Sequence, residues 1–371
     1  MPTGVTSLPV EILHEILSQE FLDEQDLCNA SLACKAFTPI AQEYLPRDGD
    51  IMLRNSDAGQ LVSMLRNLLA NERFRGRFTN VEIDWGFRLY QHEITTPPPD
   101  KYKWTSEERA VLAILFDENN FHKRWRSAVE DIVEPAALLV PIICQLTNLR
   151  KLHIGKPNTG SIEMRRIYSS AWTTHLEELI ERVIPPQREG DEGGALDPKA
   201  VVTSFPKALR GLTTFTRAYY ADDDGFNIDA VIPIFLLPNM EVVELTTFGG
   251  NFNTLSRFDG SDFRCPVKRI EFHELECWSD EVARFFRFCE ALEVVNVSLV
   301  YIGVGVVEDE EELEEAFSIV PMQEALMEKH KGTLKEAMLE AERNYWWFKR
   351  RGSKVRGGWK PTWWGNEDWD D

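Results

Sequence analysis

At 371 residues the chain has room for two domains, or for one small module followed by an extended array. Hydrophobic residues make up 43%, with 11 Trp and 21 Phe, so a folded core is expected rather than a disordered chain. A net charge of -20 argues against a nucleic-acid partner, because phosphate binding draws on a basic surface.

Other classes are excluded in the same way. Glu11 and Glu15 stand where a leader peptide would carry basic residues. The most apolar runs, Ala136 to Leu146 and Val231 to Leu237, are broken by proline and fall short of the roughly 18 residues of a membrane span. No membrane is expected, and the cytosol or nucleus is the expected location. Cys28, Cys34, Cys144, Cys265, Cys277 and Cys289 show no CxxC spacing and are expected as reduced, buried thiols.

The first predicted element begins at Leu8-Pro9. Pro9 suits the first turn of a helix, and Glu11 complements the positive end of its dipole. Leu8, Ile12, Leu13, Ile16 and Leu17 make a broad apolar stripe, broad enough to call for two neighbours. Asp23 and Asp26 can cap a second helix carrying Leu27, Ala30, Cys34 and Phe37. Thr38-Pro39 opens a third, with Ile40, Ala41, Tyr44 and Leu45 on one face, until Pro46 stops it. Three helices this short cannot bury both flanks of the first, so a partner is expected to complete the core.

The string Leu8-Pro9, Glu11-Ile12, Ile16-Leu17, Asp26-Leu27, Ser31-Leu32, Cys34-Lys35, Phe37 and Ala41 resembles the F-box in order and spacing. Phe37 stands where that family often has tryptophan, and Ala33 where valine is common; both substitutions keep the site apolar. The resemblance covers about an eighth of the chain. It implies a three-helix domain at residues 1–47 that docks on a Skp-type adaptor and through it on the cullin scaffold of a ubiquitin ligase. The adaptor anchors it implies are Leu8, Pro9, Ile12, Ile16, Leu27, Leu32, Cys34 and Phe37. Some of these line the domain's own interior instead, and periodicity does not divide the two sets.

Beyond this module, residues 57–345 alternate helical and strand-like stretches. A helix is expected from Asp57 to Arg73, then a strand over residues 78–83. Phe78, Val81 and Ile83 set a pattern of apolar positions at 0, +3 and +5. It recurs at Leu149, Leu152, Ile154; Met240, Val243, Leu245; Val267, Ile270, Phe272; and Leu292, Val295, Val297. Weaker copies are Leu212, Phe215, Arg217 and Leu334, Ala337, Leu339. The starts at 212, 240, 267 and 292 lie 28, 27 and 25 residues apart, a period typical of stacked strand-helix units. These segments resemble degenerate leucine-rich repeats of the kind common in fungal F-box proteins, most clearly at residues 146–154 and 237–245, although the family's asparagine after the strand is not regular. The expected fold class is a mixed α/β repeat: a three-helix F-box, then an irregular leucine-rich-repeat-like solenoid.

Loops are expected at residues 95–100, which hold three consecutive prolines, at residues 185–198, and at the acidic run 308–315. A helix is expected from Gln323 to Trp347, and the Trp-rich tail 346–371 is expected to fold back as a cap or to bind a ligand itself. If Ile270 and Phe272 face inward, then Arg269, Glu271 and His273 face out, with Lys151, His153, Glu244, Thr246, Asn296 and Ser298 on the same sheet face in their own units. That surface is the candidate partner-binding face.

No chemistry-bearing motif accompanies it. Gly303-Val304-Gly305 leads into acid where a pyrophosphate would have to sit, and Glu271 with His273 lacks an orienting third group. No cofactor, metal or catalytic residue is expected. The reading is a non-catalytic substrate receptor of an SCF-type ligase for an unidentified protein target. Its alternatives are a non-ligase F-box scaffold and an enzyme with a site scattered over the repeat face.

Overall fold

The computed structural model describes residues 9–17, 30, 37–38, 40–41, 49–54, 58–84, 103–119, 121, 123–132, 135–155, 179–180, 183, 196–218, 226–250, 252–258, 264–300, 318–341, 344–351 and 354–361. The first helix, α1, is Val10–Leu17. It starts as Pro9 predicts, with the Pro9 carbonyl accepting the Leu13 amide at 3.2 Å. Of the expected second and third helices, the helical residues described are Ala30, Thr38, Ile40 and Ala41; the remainder lie outside the described residues.

An 11-stranded sheet organises the rest. Its strands are β1 (Gly49–Arg54), β2 (Phe78–Asp84), β3 (Lys151–Ile154), β4 (Thr214–Ala218), β5 (Phe226–Asn227), β6 (Val242–Gly249), β7 (Arg269–Glu276), β8 (Val294–Leu299), β9 (Glu336–Ala341), β10 (Asn344–Arg351) and β11 (Lys354–Pro361). They lie side by side in chain order, with the short β5 branching off against β6. Pairing is parallel from β1 to β9 and antiparallel for β9–β10 and β10–β11.

Register explains why the sheet runs in sequence order. Val81, Leu152, Phe215, Val243, Ile270, Val295 and Ala337 stand opposite one another across seven strands, and all are buried. Two residues on, Ile83, Ile154, Arg217, Leu245, Phe272, Val297 and Leu339 form a second buried row. Both weaker sequence copies therefore belong to the same ladder. A backbone contact repeats with it. The Arg150 carbonyl accepts the Thr213 and Thr214 amides, Thr213 accepts Glu241 and Val242, Glu241 accepts Lys268 and Arg269, Lys268 accepts Glu293 and Val294, and Glu293 accepts Lys335 and Glu336. From β3 to β9 each strand entry is thus tied to the next by two hydrogen bonds.

Helices cover the buried rows. The longer ones are α2 (Ala58–Ala70), α3 (Ser106–Glu118), α4 (Pro135–Gln145), α5 (Pro198–Ser204), α6 (Ser279–Phe288) and α7 (Val320–Lys329). Helix α2 packs on α4, and α6 on α7. The apolar run at 136–146 is such a helix, buried all round, as its composition requires. Thr105 caps α3 reciprocally with Glu108. Phe285 of α6 lies against Phe272 of β7 at 5.9 Å and stacks on Phe252 at 5.2 Å, joining helix and sheet layers in one core.

Some expectations need correction. Strand β1 was not anticipated: position 48, which should be apolar in the pattern, is Asp48, although Leu53 is fully buried. The expected helix from Gln323 to Trp347 ends at Lys329; His330 caps it, and alternation of Ala337, Leu339 and Ala341 makes β9, followed by β10. Of the expected loop 185–198, Asp197 and Pro198 instead start α5, with Asp197 accepting the Lys199 amide at 3.0 Å. Residues 95–100, 303–305 and 308–315 lie outside the described residues. Cys144, Cys265, Cys277 and Cys289 are free and buried; Cys28 and Cys34 lie outside the described residues.

Candidate functional site

Helix α1 divides its apolar arc. Leu13 and Leu17, one turn apart, are buried with Ile40 and Ala41, and Ala30 and Phe37 pack against them. On one flank Ile12 and Ile16 remain 40% and 45% exposed, and on the other Val10 is 53% exposed. The geometry follows from about 100° per residue: positions 12 and 16 share a face that positions 13 and 17 do not. Of the expected adaptor anchors, Pro9, Ile12 and Ile16 are exposed, while Phe37 is half-buried against the domain's own cluster. Leu8, Leu27, Leu32 and Cys34 lie outside the described residues. Val10 was missed because it stands outside the spacing used to define the stripe.

The second surface is the open face of the sheet. Asn80, Lys151, Thr214, Val242, Arg269, Val294 and Glu336 form one row across it. Glu82, His153, Thr216, Glu244, Glu271, Asn296 and Met338 form the next. Thr246 stands opposite His273 in a third. There Glu274, at φ 55°, interrupts the pairing with β8, and its amide takes the Ser298 hydroxyl as acceptor at 3.0 Å. All nine residues expected on this face are brought onto it, none of them buried. Thr216 and Glu82 complete the row and were legible from the same spacing.

Polar contacts link these rows along β7 and join two strands within one row. Arg269 Nε donates to Glu271 Oε1 at 2.7 Å, and His273 Nε2 stands 3.7 Å from Glu271 Oε2. The Thr216 hydroxyl donates to Glu244 across the strands at 3.3 Å. Glu271 thus has its third polar group, but that group is a guanidinium clamping the carboxylate, an ion-pair ladder rather than a base with its orienter. Arg217 is the exception on the inner side, 3% exposed between Ile154 and Leu245.

Buried ionisable groups lie on the helix side. Burial pushes the Cys277 thiol up to about 12, with the Glu281 carboxylate adding to the effect. Burial likewise holds His330 below the ordinary imidazole value, against the opposing hydrogen bond to Phe286. Among the described residues no group of three or more His, Cys, Asp and Glu side chains could hold a metal ion, and no helix is long and apolar enough to cross a membrane.

Residues 5–45 match the model of the F-box-like family. No curated protein matches the chain significantly. The chain therefore opens with an F-box-like domain, which points to an adaptor-binding role of the SCF type and is a class of domain that is typically non-catalytic. A mixed helix and strand region with a parallel sheet follows it.

Proposed function

We propose that the chain is the substrate receptor of an SCF-type ubiquitin ligase. Residues 1–47 form a three-helix F-box that binds a Skp-type adaptor, and the adaptor joins it to a cullin. The remainder is a degenerate leucine-rich-repeat-like solenoid that holds a protein target on its open strand face. The repeating strand-entry hydrogen bonds and the two buried rows support that reading, with the units after β2 and β3 enlarged by insertions. Strand β1, ahead of residue 57, pairs with β2, and β10 and β11 extend the sheet past β9. Its partner-facing residues are Lys151, His153, Glu244, Thr246, Arg269, Glu271, His273, Asn296 and Ser298.

The mechanism is proximity. Holding target and ubiquitin-charged enzyme on one scaffold raises the effective concentration of target lysines, with no bond chemistry by this chain. A soluble complex of this kind belongs in the cytosol or nucleus.

The observation that carries the reading is the open Ile12 and Ile16 flank of α1 inside the F-box-like match. Co-purification with a Skp-type adaptor tests it. The intact chain is expected to give a stoichiometric complex, and the double variant Ile12→Asp, Ile16→Asp none, because buried carboxylates would be left without partners. Far-UV circular dichroism of both chains should coincide, since both side chains are exposed and lie outside the Leu13–Leu17 cluster. Adaptor binding without any cullin in the complex would favour the non-ligase scaffold. No complex with the intact, folded chain would end the receptor reading.

A further inference from the structure

The far end of the sheet differs in charge from everything before it. Residues 344–361, which form β10 and β11, carry six Lys and Arg and no Asp or Glu. Removing those six cations from the net -20 leaves -26 on the remaining chain. The register sets cation against cation: Lys349 is opposite Arg356, and Arg351 opposite Lys354. Like charges directly opposite in an antiparallel pair destabilise it unless an anion lies beside them. On one side β9 supplies such a group, Glu336 in register with Lys349. On the other side, among the described residues, β11 has no neighbouring strand.

That edge offers a row of backbone hydrogen-bonding groups next to Lys354, Arg356 and Lys360, with Gly357 and Gly358 at its centre. An extended peptide can add to an open edge by main-chain pairing, and acidic residues at its alternate positions would then stand in register with the basic positions of β11. We propose that the β11 edge docks a short acidic segment of a partner protein as an additional strand. Edge-to-edge pairing with the β11 of a second copy does not suit it, since that would bring six more cations to the same place. A nucleic acid suits it poorly: the acidic remainder of the chain repels a long polyanion, and a sugar-phosphate chain has no amides to pair. The inference depends only on β10 and β11 and stands apart from the adaptor reading.

Fluorescence anisotropy of the full chain with a labelled peptide alternating glutamate and valine tests it. The peptide is expected to bind, and to weaken by about tenfold or more with Lys349→Glu, Arg356→Glu. The same peptide N-methylated at alternate amides keeps its charge but cannot pair as a strand, and should lose binding to the unaltered chain by a similar factor. This arm decides the matter even if the double variant folds poorly. The inference is overturned if the intact peptide does not bind, if the N-methylated peptide binds equally, or if oligothymidylate of equal charge binds as tightly. Binding that appears only after deletion of residues 362–371 would assign the edge to the chain's own acidic end and also overturn it.

Discussion

Helix α1 and strand β7 start from similar material and end differently. In α1, five of eight residues are apolar, two are buried and three stay open to solvent. In β7, Ile270, Phe272 and Leu275 are all buried, between β6 and β8 and beneath α6. A strand inside a sheet has neighbours on both sides and a helix layer on its inner face, so every inward position is closed. A helix resting on one small cluster has its central stripe covered and its flanks uncovered. An apolar side chain left open in the first setting would be an anomaly; in the second it is a candidate contact for a partner.

The comparison can be broken most forcefully from the closed side. Phe272→Ala should lower unfolding stability by about 3–5 kcal/mol, measured by denaturant titration, because the ring contacts Phe248 at 5.2 Å and Phe285 at 5.9 Å. On the open side, Ile12→Asp with Ile16→Asp should leave that stability within about 0.5 kcal/mol while removing adaptor binding. Equal losses of stability at the two places would show that α1 has no open face.

His330 sharpens the contrast with pH. Its Nε2 donates to the Phe286 carbonyl at 2.7 Å, and its Nδ1 accepts the Leu292 amide at 3.2 Å, so the folded ring is neutral. Burial, the main cause, sets its folded pKa below the unfolded value of 6.5. Below that value the unfolded chain takes up a proton that the fold resists. Stability is therefore full above 6.5 and falls as pH drops through and below it. Denaturation midpoints should decline between about pH 7 and pH 5, and His330→Leu should flatten that decline while costing about 1–3 kcal/mol at neutral pH.

Smaller effects are expected at the unit junctions. Asn148 donates to the Gly76 carbonyl at 2.7 Å, and Asn239, at the equivalent place one residue before the pattern, donates to Arg210 at 3.4 Å. Asn148→Ala should cost about 1 kcal/mol by thermal unfolding. Arg269→Ala, on the solvated face, should change stability by about 0.5 kcal/mol or less. If that face holds the target, Arg269→Ala will weaken target capture from lysate far more than it alters the melting curve, and capture unaffected by it would point to another surface.

Much of this organisation was legible in the residues. The spacing of 0, +3 and +5 located β2, β3, β4, β6, β7 and β8 and told the inward from the outward positions, because side-chain alternation in a strand is a local property. It failed at β1, where Asp48 breaks the pattern, and at β9 and β10, which fell inside the expected helix Gln323 to Trp347 although Leu334, Ala337 and Leu339 keep the spacing. The candidate face was legible for the same reason as the core, as its complement.

Residue type and near neighbours alone determined the F-box-like match and most of the strands' apolar positions. The tertiary structure alone decided that Ile12 and Ile16 stay open while Leu13 and Leu17 close, and that the two strands carrying six Lys and Arg stand at the end of the sheet. Those outcomes depend on which elements lie side by side, and strand register joins residues dozens of positions apart through backbone hydrogen bonds that no local pattern encodes.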